Sequence, residues 1–373
     1  MEWMNLTDIC RPKQWKTIDM KNLKNEGYPV YGANGIIGYY DEYTHKEPTV
    51  MITCRGATCG TINKSSSKAY INGNAMALDN LKDEIVDINY LYYYLNDYNF
   101  KKVISGSAQP QITRTNLKKV KIPVPPMKIQ EKIVQVLDQA QALIDKRKEQ
   151  IEALDQLIES IFYTMFGDPV RNEKGWEVKK LGELGIFKNG LNYSKEDNGY
   201  SIKCLGVGDF LRLNKIENMC EIQKIDILEK PNSDYLLKDE DILFVRSNGN
   251  KKLVGRNIIV FPRDNEVTFS GFCIRFRKKT NNVNLIFLNS QIKRRTIQNR
   301  LQSKIRGANI QNLNQKILSD LDVIYPPLYL QNEFAQKVEI IEKQKKLLGE
   351  SLELLEGNYQ SIMAKAFKGQ LFN

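Results

Sequence analysis

The sequence predicts an α+β protein: two mixed α/β globular halves in a pseudo-two-fold repeat, separated by two long antiparallel coiled-coil helices. Three observations lead there. The chain repeats itself at an offset of 201 residues, each copy ends in a long stretch with heptad spacing, and short strands, turns and one helix follow in the same order in both halves.

The repeat fixes the organisation. The segment GSAQPQITRTNLKKVKIPVPPMKIQEKIVQVLDQ from Gly106 aligns without a gap on GANIQNLNQKILSDLDVIYPPLYLQNEFAQKVEI from Gly307. Leu117 meets Leu318, Pro125-Pro126 meets Pro326-Pro327, and Gln130 meets Gln331. A period of 201 residues is far too long for a solenoid and means two copies of one module.

The shared C-terminal element is a helix. After Pro126 the chain has neither Gly nor Pro until Gly167. Apolar residues recur at a and d spacing from Ile133 to Met165, with Arg147 in the one skipped position, and the register persists from Phe334 to Ala366. Stripes this narrow are better satisfied by packing on each other than on a globular core. The seam is assigned to Ile133, Leu137, Ile144, Ile151, Leu154 and Ile158 on one helix, and to Phe334, Val338, Leu348, Leu352, Leu355 and Tyr359 on the other. The expected divisions are a first globular domain at 1–127, a helix at 128–167, a second domain at 168–328, a second helix at 329–368 and a tail at 369–373.

Within the globular halves, the strand ending at Thr53 leads into Arg55-Gly56, and the strand Asp241–Val245 leads into Arg246-Ser247-Asn248. Tyr70–Gly73 and Thr268–Gly271 follow, then one helix in each half, Ile88 to Val103 and Leu285 to about Ile305.

Composition narrows the chemistry. With 42% hydrophobic and 27% charged residues the 373-residue chain is ordinary globular protein, and its net charge of +11 favours a polyanionic partner. His45 is the single histidine, in a polar loop, and reads as exposed. None of the six cysteines forms a CxxC pair, so no metal site is expected, and scattered thiols point to the cytoplasm. No signal peptide and no membrane-spanning run are expected. Neither a P-loop nor a strand-following GxGxxG is present. The prolines of Val124-Pro125-Pro126-Met127 and Tyr325-Pro326-Pro327-Leu328 lack the preceding polar group that an amino-methyltransferase uses, and read as rigid helix-entry turns. No catalytic residue is assigned, and no cofactor is expected on this chain.

Nucleic-acid chemistry is better represented. Arginine pairs bidentately with guanine, and Asn or Gln with adenine. The DNA-binding candidates by position are Arg55, Lys64, Ser107, Gln109, Gln111 and Arg114 in the first half. In the second half they are Arg246, Asn248, Asn250, Lys251, Asn309 and Gln311. The runs Arg275–Lys279 and Lys293–Arg295 are further candidates for holding phosphates.

These pieces together resemble the specificity (S) subunit of type I restriction–modification enzymes. The resemblance rests on Tyr28-Pro29-Val30-Tyr31-Gly32-Ala33-Asn34-Gly35, Ile36-Ile37-Gly38, the Arg55-Gly56 turn, and Ile122-Pro123-Val124-Pro125-Pro126 leading to Gln130. Asp241–Arg246 and Pro326-Pro327 leading to Gln331 repeat it. The resemblance implies two target recognition domains reading a bipartite, asymmetric site in double-stranded DNA, and helices acting as a spacer. It implies two modification subunits that methylate adenine N6 with S-adenosylmethionine, and restriction subunits that use ATP and Mg2+. The S subunit itself is implied to be non-catalytic and cytoplasmic, with no membrane partner. Two alternatives stand beside it: the recognition subunit of a modification-only or related methyltransferase system, and a coiled-coil adaptor that binds protein rather than DNA.

Overall fold

The computed structural model describes residues 2–106, 109–194, 196–210, 215–304 and 311–372. Four helices carry the architecture: α1 (Ile88–Asp97), α2 (Met127–Phe166), α3 (Leu285–Ile292) and α4 (Leu328–Phe367). The chain forms two compact units, and the division runs through the middle of both long helices. Unit 1 comprises residues 1–149 and 349–373, and unit 2 comprises residues 150–348.

Unit 1 is built on a four-stranded antiparallel sheet in the order Arg11–Gln14, Ala75–Asp79, Val50–Thr53, Ile62–Lys64. Unit 2 repeats that order with Gly185–Asn189, Cys273–Lys278, Asp241–Val245 and Asn257–Val260, and adds the edge strand Lys215–Ile216 in parallel. The central strands Val50–Thr53 and Asp241–Val245 are buried throughout, as their near-continuous apolar sequences require. Each unit also carries a three-stranded sheet, Gly35–Tyr40, Tyr28–Gly32, Tyr70–Ile71 in unit 1 and Lys224–Ile227, Tyr200–Leu205, Val267–Phe269 in unit 2.

The proline pairs and the glutamine behind them form the joint between sheet and helix. Proline has no N–H, so each pair leaves only carbonyls to satisfy. The carbonyl of Pro126 accepts from the N–H groups of Ile129 and Gln130, and that of Pro327 from Leu330 and Gln331. Gln130 Nε2 donates to the carbonyls of Pro125 and Ile85 at 2.9 and 2.8 Å, while its Oε1 accepts from the N–H of Asp87, the N-cap of α1. Gln331 does the same in unit 2. Its Nε2 donates to Pro326 at 2.7 Å and its Oε1 accepts from the N–H of Asn284, the N-cap of α3. Both glutamines are fully buried, so each closes backbone groups that water does not reach.

The helix seam is buried from the α1 and α3 ends inward. In unit 1, Ile133, Leu137 and Ile144 are buried on α2, as are Met363, Ala366 and Phe367 on α4. Lys148 pairs with Glu356 at 2.8 Å, and Tyr359 is half-buried. In unit 2, Ile158, Phe162 and Phe166 pack with Phe334, Val338, Ile341 and the α3 residue Phe287. Asp155 of α2 pairs with Lys345 of α4. Numbers fall along one helix as they rise along the other, so the paired segments inside each unit run antiparallel. Ile151, Leu154, Leu348, Leu352 and Leu355 are half-buried. The aromatic packing repeats as well: Tyr90 lies 5.7 Å from Phe367 in unit 1, and Phe287 lies 4.7 Å from Phe166 in unit 2.

Two helix lengths differ from expectation. The first domain helix ends at Asp97, because the chain turns at Tyr98 into a separate 3-10 turn capped by Asn99. The second breaks after Ile292 and resumes at Arg295. Arg294 is buried at that break and its Nε donates to the carbonyl of Ser290.

Candidate nucleic-acid interface

In each unit the central strand runs out into an edge made of three backbones. In unit 1 the Cys54 N–H donates to the carbonyl of Asn74 at 3.1 Å, and the Cys54 carbonyl accepts from the N–H of Ile112 at 3.0 Å. Arg55 faces Gln111 in a backbone bridge, and Gln111 exchanges two bonds with Ser105. In unit 2 the Arg246 N–H donates to the carbonyl of Phe272 at 2.7 Å, and the Arg246 carbonyl accepts from the N–H of Leu313 at 2.8 Å. Ser247 pairs with Asn312 and Asn248 with Gln311. The short helices that follow are capped alike, by Thr113 Oγ1 accepting from Asn116 N and Asn314 Oδ1 accepting from Ile317 N.

This register sets the two arginines apart, although each follows a central strand in sequence. Cys54 occupies the place of Arg246, and Arg55 that of Ser247. A one-residue shift in an extended segment turns a side chain to the opposite face. Arg55 is exposed. Arg246 is half-buried, and its Nη1 donates to the carbonyl of Gly271 at 3.1 Å, so it ties down the neighbouring turn.

Unit 1 gathers its candidates around one concavity of about 340 Å3. Lys13, Gln14, Arg55, Gln111, Thr113 and Arg114 line it, and the lining contains no carboxylate. Lys13, Arg55 and Arg114, with no carboxylate among the described lining residues, present a positive potential suited to phosphate; Gln111 adds an amide, while Gln14 Nε2 is held by the Gly73 carbonyl. Lys13 Nζ sits 3.4 Å from the Trp15 ring centroid, which holds the ammonium near the rim. Gln109 is exposed beside this edge. Lys64 lies elsewhere, on its own strand, with Nζ donating to Asn89 Oδ1.

Unit 2 distributes its candidates differently. Asn312, Asn314 and Lys316 line a concavity of about 700 Å3 with Ser303, Lys304 and Asp320. The carboxamide oxygens of Asn248 and Asn250 accept from the N–H groups of Asn250 and Lys252, which makes both residues turn caps. Asn250 and Lys251 line a larger cleft of about 1200 Å3 with Arg256, Lys293 and the α2 acids Asp155 and Glu159. Burial inside this cleft lowers the Lys293 ammonium to about 8. Ser107 and Asn309 lie outside the described residues, and of Gln311 only the backbone is described.

Two further expectations change. Of the run Arg275–Lys279, Arg275, Arg277 and Lys278 are taken up by partners within unit 2, while Lys279 is exposed. Arg275 is 2% exposed and donates to the Asp234 carbonyl, Arg277 forms a two-point pair with Asp241, and Lys278 pairs with Glu240. In Lys293–Arg295, Arg294 is buried against the Phe162 ring. Each side chain found a partner distant in sequence, which local charge counting does not register. His45 is also not an exposed loop residue: its Nε2 meets Asp79 Oδ1 at 2.9 Å, and its ring lies edge-on to Trp15.

Burial raises the thiols of Cys10 and Cys204 to about 12, and raises Cys273 further, so these thiols are packing groups. Among the described residues there is no group of three or more His, Cys, Asp or Glu placed to hold a metal ion, and no helix is long and apolar enough to cross a membrane.

The duplicated unit, with a polar edge at the end of a buried central strand and a share of two long helices, defines one structural module present twice in one chain. The chain belongs to the family described as the type I restriction modification DNA specificity domain, whose model matches residues 1–154 and again 173–357. It is 28% identical over 319 residues to the type I restriction enzyme StySPI specificity subunit of Salmonella potsdam, a match covering 78% of this chain and 66% of that one. It is 24% identical over 378 residues to the MjaVIII specificity subunit of Methanocaldococcus jannaschii, covering 93% and 87%. This chain thus spans just under two thirds of the StySPI subunit. In fold it is similar to the crystal structure of a type I restriction-modification system S subunit from M. genitalium, with a TM-score of 0.56 at 16% identity, covering 98% of this chain and 96% of that chain.

Proposed function

We propose that this chain is the DNA sequence-specificity subunit of a type I restriction–modification complex, in which each unit reads one part of a split, asymmetric site in double-stranded DNA. The observation that carries the reading is the repeated three-backbone edge, held in the same register in both units while its exposed side chains differ. A fixed scaffold with variable side chains is what reading two unlike half-sites requires. In unit 1 the amide and cation set around Arg55, Gln111 and Arg114 supports base and phosphate contacts.

In this reading the chain is non-catalytic and the long helices are the spacer. Two modification subunits dock on it and methylate adenine N6 with S-adenosylmethionine. Restriction subunits using ATP and Mg2+ are a further partner. Apolar residues on the outer helix faces support docking: Leu143 and Leu354 in unit 1, and Leu157, Ile340 and Leu347 in unit 2, are all exposed.

The test is a genome-wide map of N6-methyladenine in the host with and without this gene. The expected result is loss of one motif made of two unlike defined parts separated by unspecified bases. An unchanged map, or loss of a perfect palindrome, overturns the proposal.

A further inference from the structure

We propose that Phe272 is a specificity-determining residue of unit 2, making an apolar contact with a base of the half-site that this unit reads. The inference rests on the DNA-reading function proposed above and assigns one residue within it.

Phe272 sits in a four-residue turn, Ser270–Cys273, closed by the Cys273 N–H donating to the Ser270 carbonyl at 2.8 Å. Its backbone is held on both sides. The N–H donates to Ser270 Oγ, and the carbonyl accepts from the N–H groups of Arg246 and Ser247. The preceding Gly271 is fixed by its neighbours, since a Cβ there would lie 2.1 Å from Asn192 Oδ1, and its carbonyl accepts from Arg246 Nη1. The turn is therefore a rigid pedestal at the start of the unit 2 edge, one hydrogen bond from the Ser247–Asn312 pair.

On that pedestal stands an aromatic ring that neither the core nor the turn needs. Phe272 is 62% exposed, whereas the strand behind it, Cys273–Phe276, is buried. Turns of this kind favour Asn, Asp, Gly or Ser at their centre. Unit 1 follows that preference. Its turn Asn72–Ala75 is closed by the Ala75 N–H donating to Asn72, and Asn74, exposed, occupies the place of Phe272 with its carbonyl accepting from Cys54 N–H. The same backbone thus offers an amide in one unit and an apolar ring in the other. Aromatic rings meet DNA through the thymine methyl or through the face of an unstacked base, and an amide does neither well.

The experiment uses the full chain with its modification subunits, a duplex carrying the mapped methylation motif, and a duplex scrambled in the unit 2 half only. Phe272→Ala is expected to lower the ratio of the two affinities by about tenfold, with an unchanged melting temperature because the ring is exposed. Phe272→Tyr, which keeps the ring, is expected to retain most of the ratio. Replacing thymine by uracil in the motif identifies the methyl if it mimics Phe272→Ala. A 2-aminopurine signal present with wild type and absent with Phe272→Ala identifies an unstacked base. An unchanged ratio, or an equal loss on both duplexes, overturns the assignment while leaving the DNA-reading function standing. Wild-type protein that does not distinguish the two duplexes overturns the function itself.

Discussion

Units 1 and 2 share their hidden hydrogen bonds and differ in what they show to solvent. Gln130 and Gln331 satisfy the same carbonyl and the same N-cap amide. Tyr90 with Phe367 and Phe287 with Phe166 fill the same place. Beside them the units part. On α1, Tyr93 donates to Asp138 of α2, and Tyr92 stacks edge-on against it. Counted from the shared N-caps, α3 carries Asn289 and Ser290 there, and both line the large cleft of unit 2. At the joint between sheet and helix, where buried backbone groups must be paired, glutamine serves in both copies. Where a side chain only fills or faces space, the copies have diverged.

The stability of unit 2 rests most heavily on its buried aromatic cluster. Phe162 is fully buried among Phe166, Phe287 and Phe334, and Phe162→Ala should destabilise unit 2 by about 3–5 kcal/mol. Trp176 lies in unit 2, with Trp3 and Trp15 in unit 1. Urea unfolding followed by Trp176 emission in a Trp3→Phe, Trp15→Phe background checks it. A loss below about 1 kcal/mol would remove Phe162 from the core.

Next come the two joints. Gln130→Ala strands three backbone partners and Gln331→Ala two. At about 1–3 kcal/mol for a buried group left unpaired, both are destabilising and Gln130→Ala is the worse. Equal effects measured by urea titration would mean that the extra bond to Ile85 contributes nothing.

The arginines separate stability from binding. Arg55→Ala should leave unfolding unchanged and weaken DNA binding by about 1–3 kcal/mol if the residue reads a base. Arg246→Ala should instead lower stability by about 1 kcal/mol through the lost bond to Gly271. Salt titration of binding by both variants distinguishes them, and identical behaviour would contradict the shifted register.

A further difference between the units appears only at alkaline pH. Burial raises Cys10 and Tyr94 to about 12 in unit 1, above their ordinary values of 9.0 and 10.0. The unfolded chain releases those protons first, so this contribution is intact below pH 9 and is lost as pH rises toward 12. In unit 2 Lys293 acts the other way. The unfolded chain keeps a proton that the folded one releases near 8, so its contribution to stability rises between about 8 and 10.5. The difference in unfolding midpoint, Lys293→Met minus wild type, should shrink as pH rises from 8 to 10.5.

Much of the frame was legible because it is local or periodic. Heptad spacing announces α2 and α4, and the proline pair followed by glutamine marks the joint in both copies. The candidate interface was less legible. Arg55 and Arg246 look alike in sequence because both follow a buried strand, yet they differ by one residue of register, which only the pairing with Gln111 and Asn312 reveals. The basic run at Arg275 looked like a phosphate site because its partners, Asp234, Glu240 and Asp241, lie more than thirty residues earlier. His45 needed Asp79, from another strand, to be recognised as a packed residue.

The discontinuity of unit 1 has a consequence for the order in which the protein comes into being. Unit 2 is one uninterrupted stretch, residues 150–348, and is complete as soon as that stretch has left the ribosome. Unit 1 begins first and finishes second, because Met363, Ala366 and Phe367 belong to the same core as Leu6, Tyr90 and Leu137. At roughly 5–20 residues per second, translation from residue 149 to residue 349 leaves the first domain waiting about 10–40 s for its closing helix segment. For that interval the part of the core that Met363, Ala366 and Phe367 cover in the finished protein is open on the nascent chain, before its own partner exists.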